Sequence, residues 1–353
     1  MARIKKIFII LGLLLSLSLF SCTKKTNDYN FNYWNDCTSL TNLKNYVTEV
    51  TDEKSKSFIP VSDRIAVFDM DGTLCGELFP TYLEYLLVAY RTLYDTNYEA
   101  SDELKEVGNL IMEGARGDGT GTYPSDMALI HGNAQAKAFA GLTPVKFENY
   151  VKDFLNRPAD GFKNLKYSDS LYKPMVEVVD FLQKNSFKTY IVSGSDRFIC
   201  RAFAADKLNI PYNQVIGMDV KLVATNQGNT DSLDYTFTKD DTLVRSDELL
   251  IKNLKNNKVT AIAKEIGKQP VLSFGNSSGD TAMHMYTITK NKYKSEAFML
   301  IADDETRDYG NTVKTTALGE TWKKNGFNVI SMKDDFKTIY GYDVEKTSLL
   351  YAF

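Results

Sequence analysis

The stretch Ile65-Ala66-Val67-Phe68-Asp69-Met70-Asp71-Gly72-Thr73-Leu74 is an apolar run that ends in two carboxylates, a glycine and a threonine. Such a run reads as a strand of a parallel sheet covered on both faces, where ligands bind beyond the carboxyl ends of the strands. Period-two alternation sends Asp69 and Asp71 to one side and Met70 to the other. One carboxylate can then attack a phosphorus while the other protonates the departing alkoxide. A lone acid could do only the first, so the pair points to phosphoryl transfer.

Around this stretch, 353 residues with 43% hydrophobic content suffice for a large core and for a second domain or an insertion. A formal net charge of -3 gives no basic field, which argues against a nucleic-acid partner. At the amino terminus Arg3, Lys5 and Lys6 precede an apolar run from Ile7 to Phe20, too short for a membrane span and built like a signal peptide over residues 1–21. Its end, Leu19-Phe20-Ser21-Cys22, looks like a bacterial lipobox, in which Cys22 becomes the lipidated first residue, although Phe20 is bulkier than the usual residue there. A polar tether over 22–32 follows. The expectation is an exported lipoprotein, periplasmic or at the cell surface and anchored through Cys22. Export leaves Cys37, Cys75 and Cys200 in an oxidising compartment; three thiols cannot all pair internally, and a Cys37–Cys75 bridge stays open.

Leu40, Leu43, Tyr46, Val47 and Val50 recur at helical spacing between Trp34 and Val50. After the strand at 64–70, the text to about Lys173 reads as helices over 82–94, 101–113, 125–140 and 143–156, interrupted by the glycine-rich loop at 114–122. Beyond it, helices over 175–184, 196–206 and 259–266 alternate with strands over 188–194, 214–223, 270–274, 297–302 and 328–332; the polar stretch 225–242 suggests a surface hairpin. Strands separated by helices imply an α/β fold with a doubly wound, Rossmann-like parallel sheet. The domain expectation is a core of 33–76 and 174–353 with a helical cap over 77–173.

Two more strand ends carry chemistry. Tyr190-Ile191-Val192-Ser193-Gly194-Ser195 ends in a hydroxyl and a glycine, so that Ser193 and the Gly194 N–H can hold a phosphoryl oxygen; capping of the next helix explains the Ser equally well. Val271-Leu272-Ser273-Phe274-Gly275-Asn276-Ser277-Ser278-Gly279-Asp280 leads into a glycine-rich acidic turn whose oxygens suit Mg²⁺. A phosphoryl group in flight also needs a cation nearby. His131 and His284 are not required by this chemistry and read as structural.

The DxDGT sequence after a strand resembles the signature of the haloacid dehalogenase superfamily, and Asp71 points to its phosphatase branch, since dehalogenases proper lack the second acid. That resemblance implies a helical cap inserted after the first core strand. It also implies an aspartyl-phosphate intermediate on Asp69, with Asp71 as general acid and base and Ser193 and Lys258 on the phosphoryl oxygens. Lys258, in Asn257-Lys258-Val259, fits the place of the superfamily lysine, with Lys252, Lys255 and Lys264 as competitors. The metal set it implies is Asp69, the Asp71 carbonyl and the fourth turn with Asn276 and Asp280; many relatives carry Asp where Asn276 stands, which removes one negative charge.

Trp34-Asn35-Asp36, Glu77 with Pro80 and Tyr82, the Asn276–Asp280 turn, Asp303-Asp304, Asp308-Tyr309 and Asn328–Lys333 narrow the resemblance to a bacterial group near phosphoserine phosphatase and phosphorylcholine phosphatase, over residues 33 to 340. Both substrates carry a cationic nitrogen that Glu77 could pair with, while Arg116 or Arg201 could meet a substrate carboxylate. A broad-specificity acid phosphatase or phosphotransferase, and a lipoprotein that binds a phosphorylated ligand with little turnover, are the alternatives. A carbon-halogen hydrolase is disfavoured by Asp71 and the acidic fourth turn. The expected partners are a small phosphorylated substrate and the membrane; no stripe in the sequence marks a protein partner.

Overall fold

The computed structural model describes residues 29–77, 81–115 and 121–348. The chain runs through α1 (Thr38–Thr51), β1 (Ile65–Phe68), the four helices α2 (Leu83–Leu93), α3 (Asp102–Gly114), α4 (Met127–Ala138) and α5 (Pro144–Leu155), the short β2 (Phe162–Lys163) and α6 (Lys173–Lys184). It continues through β3 (Lys188–Asp196), α7 (Arg197–Cys200), β4 (Val215–Ala224), β5 (Leu243–Ile251), α8 (Asn256–Glu265), β6 (Leu272–Gly275) and α9 (Thr281–Ile288). The last elements are β7 (Glu296–Ile301), α10 (Thr312–Lys324), β8 (Asn328–Ser331), α11 (Met332–Asp335) and β9 (Glu345–Lys346).

Seven strands form one sheet in the order β5-β4-β3-β1-β6-β7-β8, parallel except for β5, which runs antiparallel to β4 at one edge. All four residues of β1 are buried, as expected of a central strand with helices on both faces. Phe68, Phe274 and Phe298 stack across β1, β6 and β7 with centroids 4.4 and 5.0 Å apart, which fixes the strand ends that carry the acids.

Helices α2 to α5 lie between β1 and β3 in sequence. Two of them begin at capping residues: Ser101 of α3 and Thr143 of α5 accept from the backbone N–H of Leu104 and Lys146, and Pro144 occupies the first turn of α5. The two chain segments joining this insertion to the sheet are bonded to each other. Gly76 donates to the Ser170 carbonyl at 3.2 Å and Tyr172 to the Leu74 carbonyl at 2.9 Å.

Several expectations change. The surface hairpin at 225–242 is the loop of a larger one, whose arms are β4 and β5. Two-residue β2 and β9 pair antiparallel, tying residue 162 to residue 346, and are too short to leave a periodic signal. The helix after β3 begins as α7, capped by Asp196, and widens into a π-turn over Arg201–Ala205. Cys37, Cys75 and Cys200 are free thiols, so the Cys37–Cys75 bridge is not formed. The signal segment, Cys22 and Arg116 lie outside the described residues.

Candidate active site

Beyond Phe68 the backbone stays tied to the sheet for one more residue, because Asp69 N–H donates to the Phe274 carbonyl at 2.9 Å. The chain then turns at Gly72, which holds φ +77°. A Cβ there would stand 2.0 Å from Asn276 Nδ2, so only glycine lets the β1 and β6 loops approach this closely. Asp69 and Asp71, each 7% exposed, open into a cavity of about 150 Å³. Its walls include Glu77, Gly194, Ser195, Lys258, Ser277 and Asp280, with Tyr82, Glu84 and Tyr85 from the start of the insertion and Lys252 after β5.

Lys258, in the first turn of α8, is 1% exposed; its Nζ donates to Asp69 Oδ1 at 2.5 Å and to Asp280 Oδ1 at 2.7 Å. The other Asp280 oxygen accepts from the backbone N–H of Asn276 and Ser277, at 3.2 and 3.1 Å. Burial lifts the carboxyl of Asp280, but Lys258 and these N–H groups outweigh it and leave Asp280 below the ordinary range. Asp69 receives the opposite treatment: burial, the Asp280 charge and Asp71 push it up to about 8 against the pull of Lys258. The ammonium disfavours burial too, yet Asp280 and Asp69 hold its pKa above the usual lysine value.

Asp71 is raised to about 6, by burial first and the Glu84 charge second, while the Ser195 hydroxyl, donating to its Oδ2 at 2.7 Å, pulls it down. Its Oδ1 is buried with no hydrogen-bond partner. Glu77 is pushed up to about 8 by burial and by the charges of Asp71, Asp69 and Asp280, against a hydrogen bond from Asn276.

The structure therefore brings Asp69, Asp71, Glu77, Gly194, Lys258 and Asp280 to one cavity. Asn276 sits behind the Gly72 turn, accepting from Thr73 Oγ1 at 3.4 Å. Ser193 is fully buried under the strand end, where its Oγ accepts from the Ser195 N–H at 3.0 Å and lies 3.5 Å from Asp71 Oδ2. Arg201 is elsewhere: its Nε donates to the Tyr212 carbonyl at 3.2 Å and its guanidinium lies over Phe198. His131 and His284 are fully buried beside Glu84 and Ser273, respectively.

Sequence reasoning missed Ser195 and Glu84, and it named Lys252 only as a competitor of Lys258, whereas both lysines line the cavity. Ser195 follows Ser193 by two, the spacing that places side chains on one side of a strand. Glu84 was visible as an acid inside the apolar run Leu83–Ala89 of α2.

Among the described residues no three His, Cys, Asp or Glu side chains converge as a ready-made metal cage. The donor chemistry nevertheless fits a hard cation. Asp69, Asp71, Glu77 and Asp280 crowd one cavity, Asp69 and Glu77 are raised by burial and by their neighbours' charges, and Asp71 Oδ1 is an unused buried acceptor.

A family model described as haloacid dehalogenase-like hydrolase matches residues 64–283, well over half of the chain. No curated protein matches it. Among solved structures, a conserved protein of unknown function from Anaerococcus prevotii aligns with a TM-score of 0.51 at 14% identity, over 86% of this chain and 95% of that one. A protein of unknown function from Bordetella pertussis gives 0.47 at 14% identity, over 76% and 98%. A phosphoserine phosphohydrolase-like protein from Francisella tularensis gives 0.35 at 17% identity, over 68% and 88%. At these identities the first likeness concerns the fold alone, while the match over 64–283 runs from the strand before Asp69 to the helix after Asp280. The chain belongs to the haloacid dehalogenase-like hydrolases.

Proposed function

We propose that this hydrolase is a Mg²⁺-dependent phosphomonoesterase acting on a small organic phosphate. The observation that carries the reading is the cavity in which two carboxylates at the end of β1 meet a fully buried lysine. Asp69 attacks phosphorus, the ester oxygen leaves, and an aspartyl phosphate forms. Asp71, raised to about 6, gives its proton to the leaving oxygen and then takes one from the water that hydrolyses the intermediate. Lys258 offers its ammonium to the phosphoryl oxygens, and the Gly194 and Ser195 strand end lines the same cavity.

Asp69, the Asp71 carbonyl, Asn276 and Asp280 are the residues that would hold Mg²⁺, which when bound would offset the charge crowded around Asp69. Asp280 already spends both oxygens on Lys258 and the turn N–H groups, so it serves first as the partner that fixes Lys258.

The part of the substrate beyond phosphate faces Glu77, Tyr82 and Tyr85. That wall supports a leaving group with a cationic nitrogen, as in phosphoserine or phosphorylcholine. The basic and apolar start of the sequence supports export and anchoring through Cys22. Among the described residues no helix is long and apolar enough to cross a membrane.

The test is phosphate release from an aryl phosphate, phosphoserine, phosphorylcholine, and sugar and nucleotide monophosphates, with Mg²⁺ or with EDTA. Metal-dependent turnover is expected. Folded protein that turns over none of them would refute the reading.

A further inference from the structure

Beside the cavity, polar side chains of the helical insertion meet the end of β3. Glu84 of α2 accepts from the Asp196 N–H at 3.3 Å and from Lys252 Nζ at 2.5 Å. From α4, Gln135 donates to Asp196 Oδ2 at 3.0 Å, and the same oxygen accepts from Arg245 of β5 at 2.8 Å. All five are less than a tenth exposed. A buried pair such as Arg245–Asp196 is weak evidence for stability, because well-packed apolar residues would often do as well. Its presence calls for a role in geometry.

That role is visible one residue earlier. The register between β3 and β4 shifts between Val192 and Asp196, so Ser193-Gly194-Ser195 runs outside the regular ladder. The path of this segment is therefore set by what holds its ends. Ser195 Oγ donates to Asp71 Oδ2 at 2.7 Å, and the next residue, Asp196, is gripped at its N–H and its carboxylate by the insertion. The Asp196 N–H is thus held by Glu84 of the insertion, while its carboxylate is shared between Gln135 of the insertion, Arg245 of β5 and the Phe198 N–H.

We propose that Ser195 is a positioning residue for Asp71, and that the insertion sets its place through Asp196, so that Asp71 is aimed at the leaving oxygen only while Glu84 and Gln135 are docked. The proposal rests on the phosphatase reading, in which Asp71 protonates that oxygen. Misaiming the acid hurts poor leaving groups more than good ones, because a p-nitrophenolate departs without help.

The experiment compares kcat/KM for an alkyl phosphate and for p-nitrophenyl phosphate in wild type, Ser195→Ala, Ser195→Thr and Gln135→Leu. Ser195→Ala and Gln135→Leu are expected to lose at least tenfold more on the alkyl ester than on the aryl ester, and Ser195→Thr, which keeps the hydroxyl, to lose little of that ratio. Equal losses on both esters, or an unchanged ratio in Gln135→Leu, would overturn the proposal.

Hydrogen exchange separates this result from the fate of the phosphatase reading. If wild type hydrolyses no phosphate ester, that reading fails. The coupling is then read from amide exchange, where Gln135→Leu is expected to speed exchange in α4 and at 193–196 together while β1 stays protected. Faster exchange in α4 alone would overturn it.

Discussion

The ammonium of Lys258 stands 2.5 Å from Oδ1 of Asp69, in a place where both groups are almost fully withdrawn from water. Because Asp280 takes the same ammonium at 2.7 Å, one cation serves two buried acids. Replacing it with an apolar group of similar length leaves the buried Asp280 carboxylate without its counter-charge. Lys258→Met is expected to lose about 3–5 kcal/mol of stability in EDTA. Chemical denaturation at neutral pH checks this; an unchanged midpoint would show that the lysine carries no such burden.

Asp69→Asn separates activity from stability. Without a nucleophile, kcat is expected to fall by about 10⁴-fold or more. The same change removes a carboxyl whose folded pKa, about 8, lies far above the ordinary value for Asp. A raised folded pKa means that the folded state binds more protons than the unfolded one at neutral pH, so ionisation costs stability there. In EDTA at pH 7 the variant is therefore expected to be more stable than wild type, by on the order of 2 kcal/mol. Thermal unfolding with and without EDTA, beside a turnover assay, checks both halves.

Gly72→Ala tests how closely the β1 and β6 loops must meet. The added methyl meets the Asn276 side chain and forces an L residue to φ +77°. A loss of about 1–3 kcal/mol is expected, with activity lost as the Asp71 turn shifts. Gly267 also holds a positive φ, but nothing lies within 4 Å of its added Cβ; alanine there pays the backbone term alone and serves as the control.

Away from the cavity, burial raises Asp308 to about 6 against hydrogen bonds from the Tyr309 N–H and the Tyr340 hydroxyl. Between the ordinary Asp value and pH 6 the unfolded chain has given up this proton and the folded one has not, so stability falls as pH rises through that window. About 2 kcal/mol is expected to be lost between pH 4 and pH 7, and Asp308→Asn is expected to flatten that part of the profile. Denaturation midpoints of both proteins across pH 4 to 7 settle the sign.

The central part of this site was legible because its strands are apolar on both faces and end in chemistry. Ile65–Phe68 before Asp69, and Leu272–Gly275 before the Asp280 turn, carry that pattern. Strand β5 hid because its pattern is not amphipathic in the usual sense: Leu243 and Leu250 are exposed while Arg245 is 1% exposed. A period-two reading that seeks apolar residues inside passes over a strand whose inward side chain is a guanidinium. Arg201 misled for the opposite reason. Its neighbourhood in sequence to Ser193 says nothing about direction, and the helix turns it away toward Tyr212. Glu84 and Gln135 depend on partners more than a hundred and sixty and sixty residues away, Lys252 and Asp196, and no local spacing reports such pairs.

The stalk formed by Leu74–Gly76 and Ser170–Tyr172 has an evolutionary consequence. Both ends of the helical insertion leave the sheet at one point, so two crossovers there would exchange the whole insertion, with Tyr82, Glu84 and Tyr85 of the cavity wall, while Asp69, Lys258 and Asp280 descend unchanged. Selectivity and chemistry can thus be inherited separately, provided that each new insertion brings its own acceptor for the Asp196 N–H.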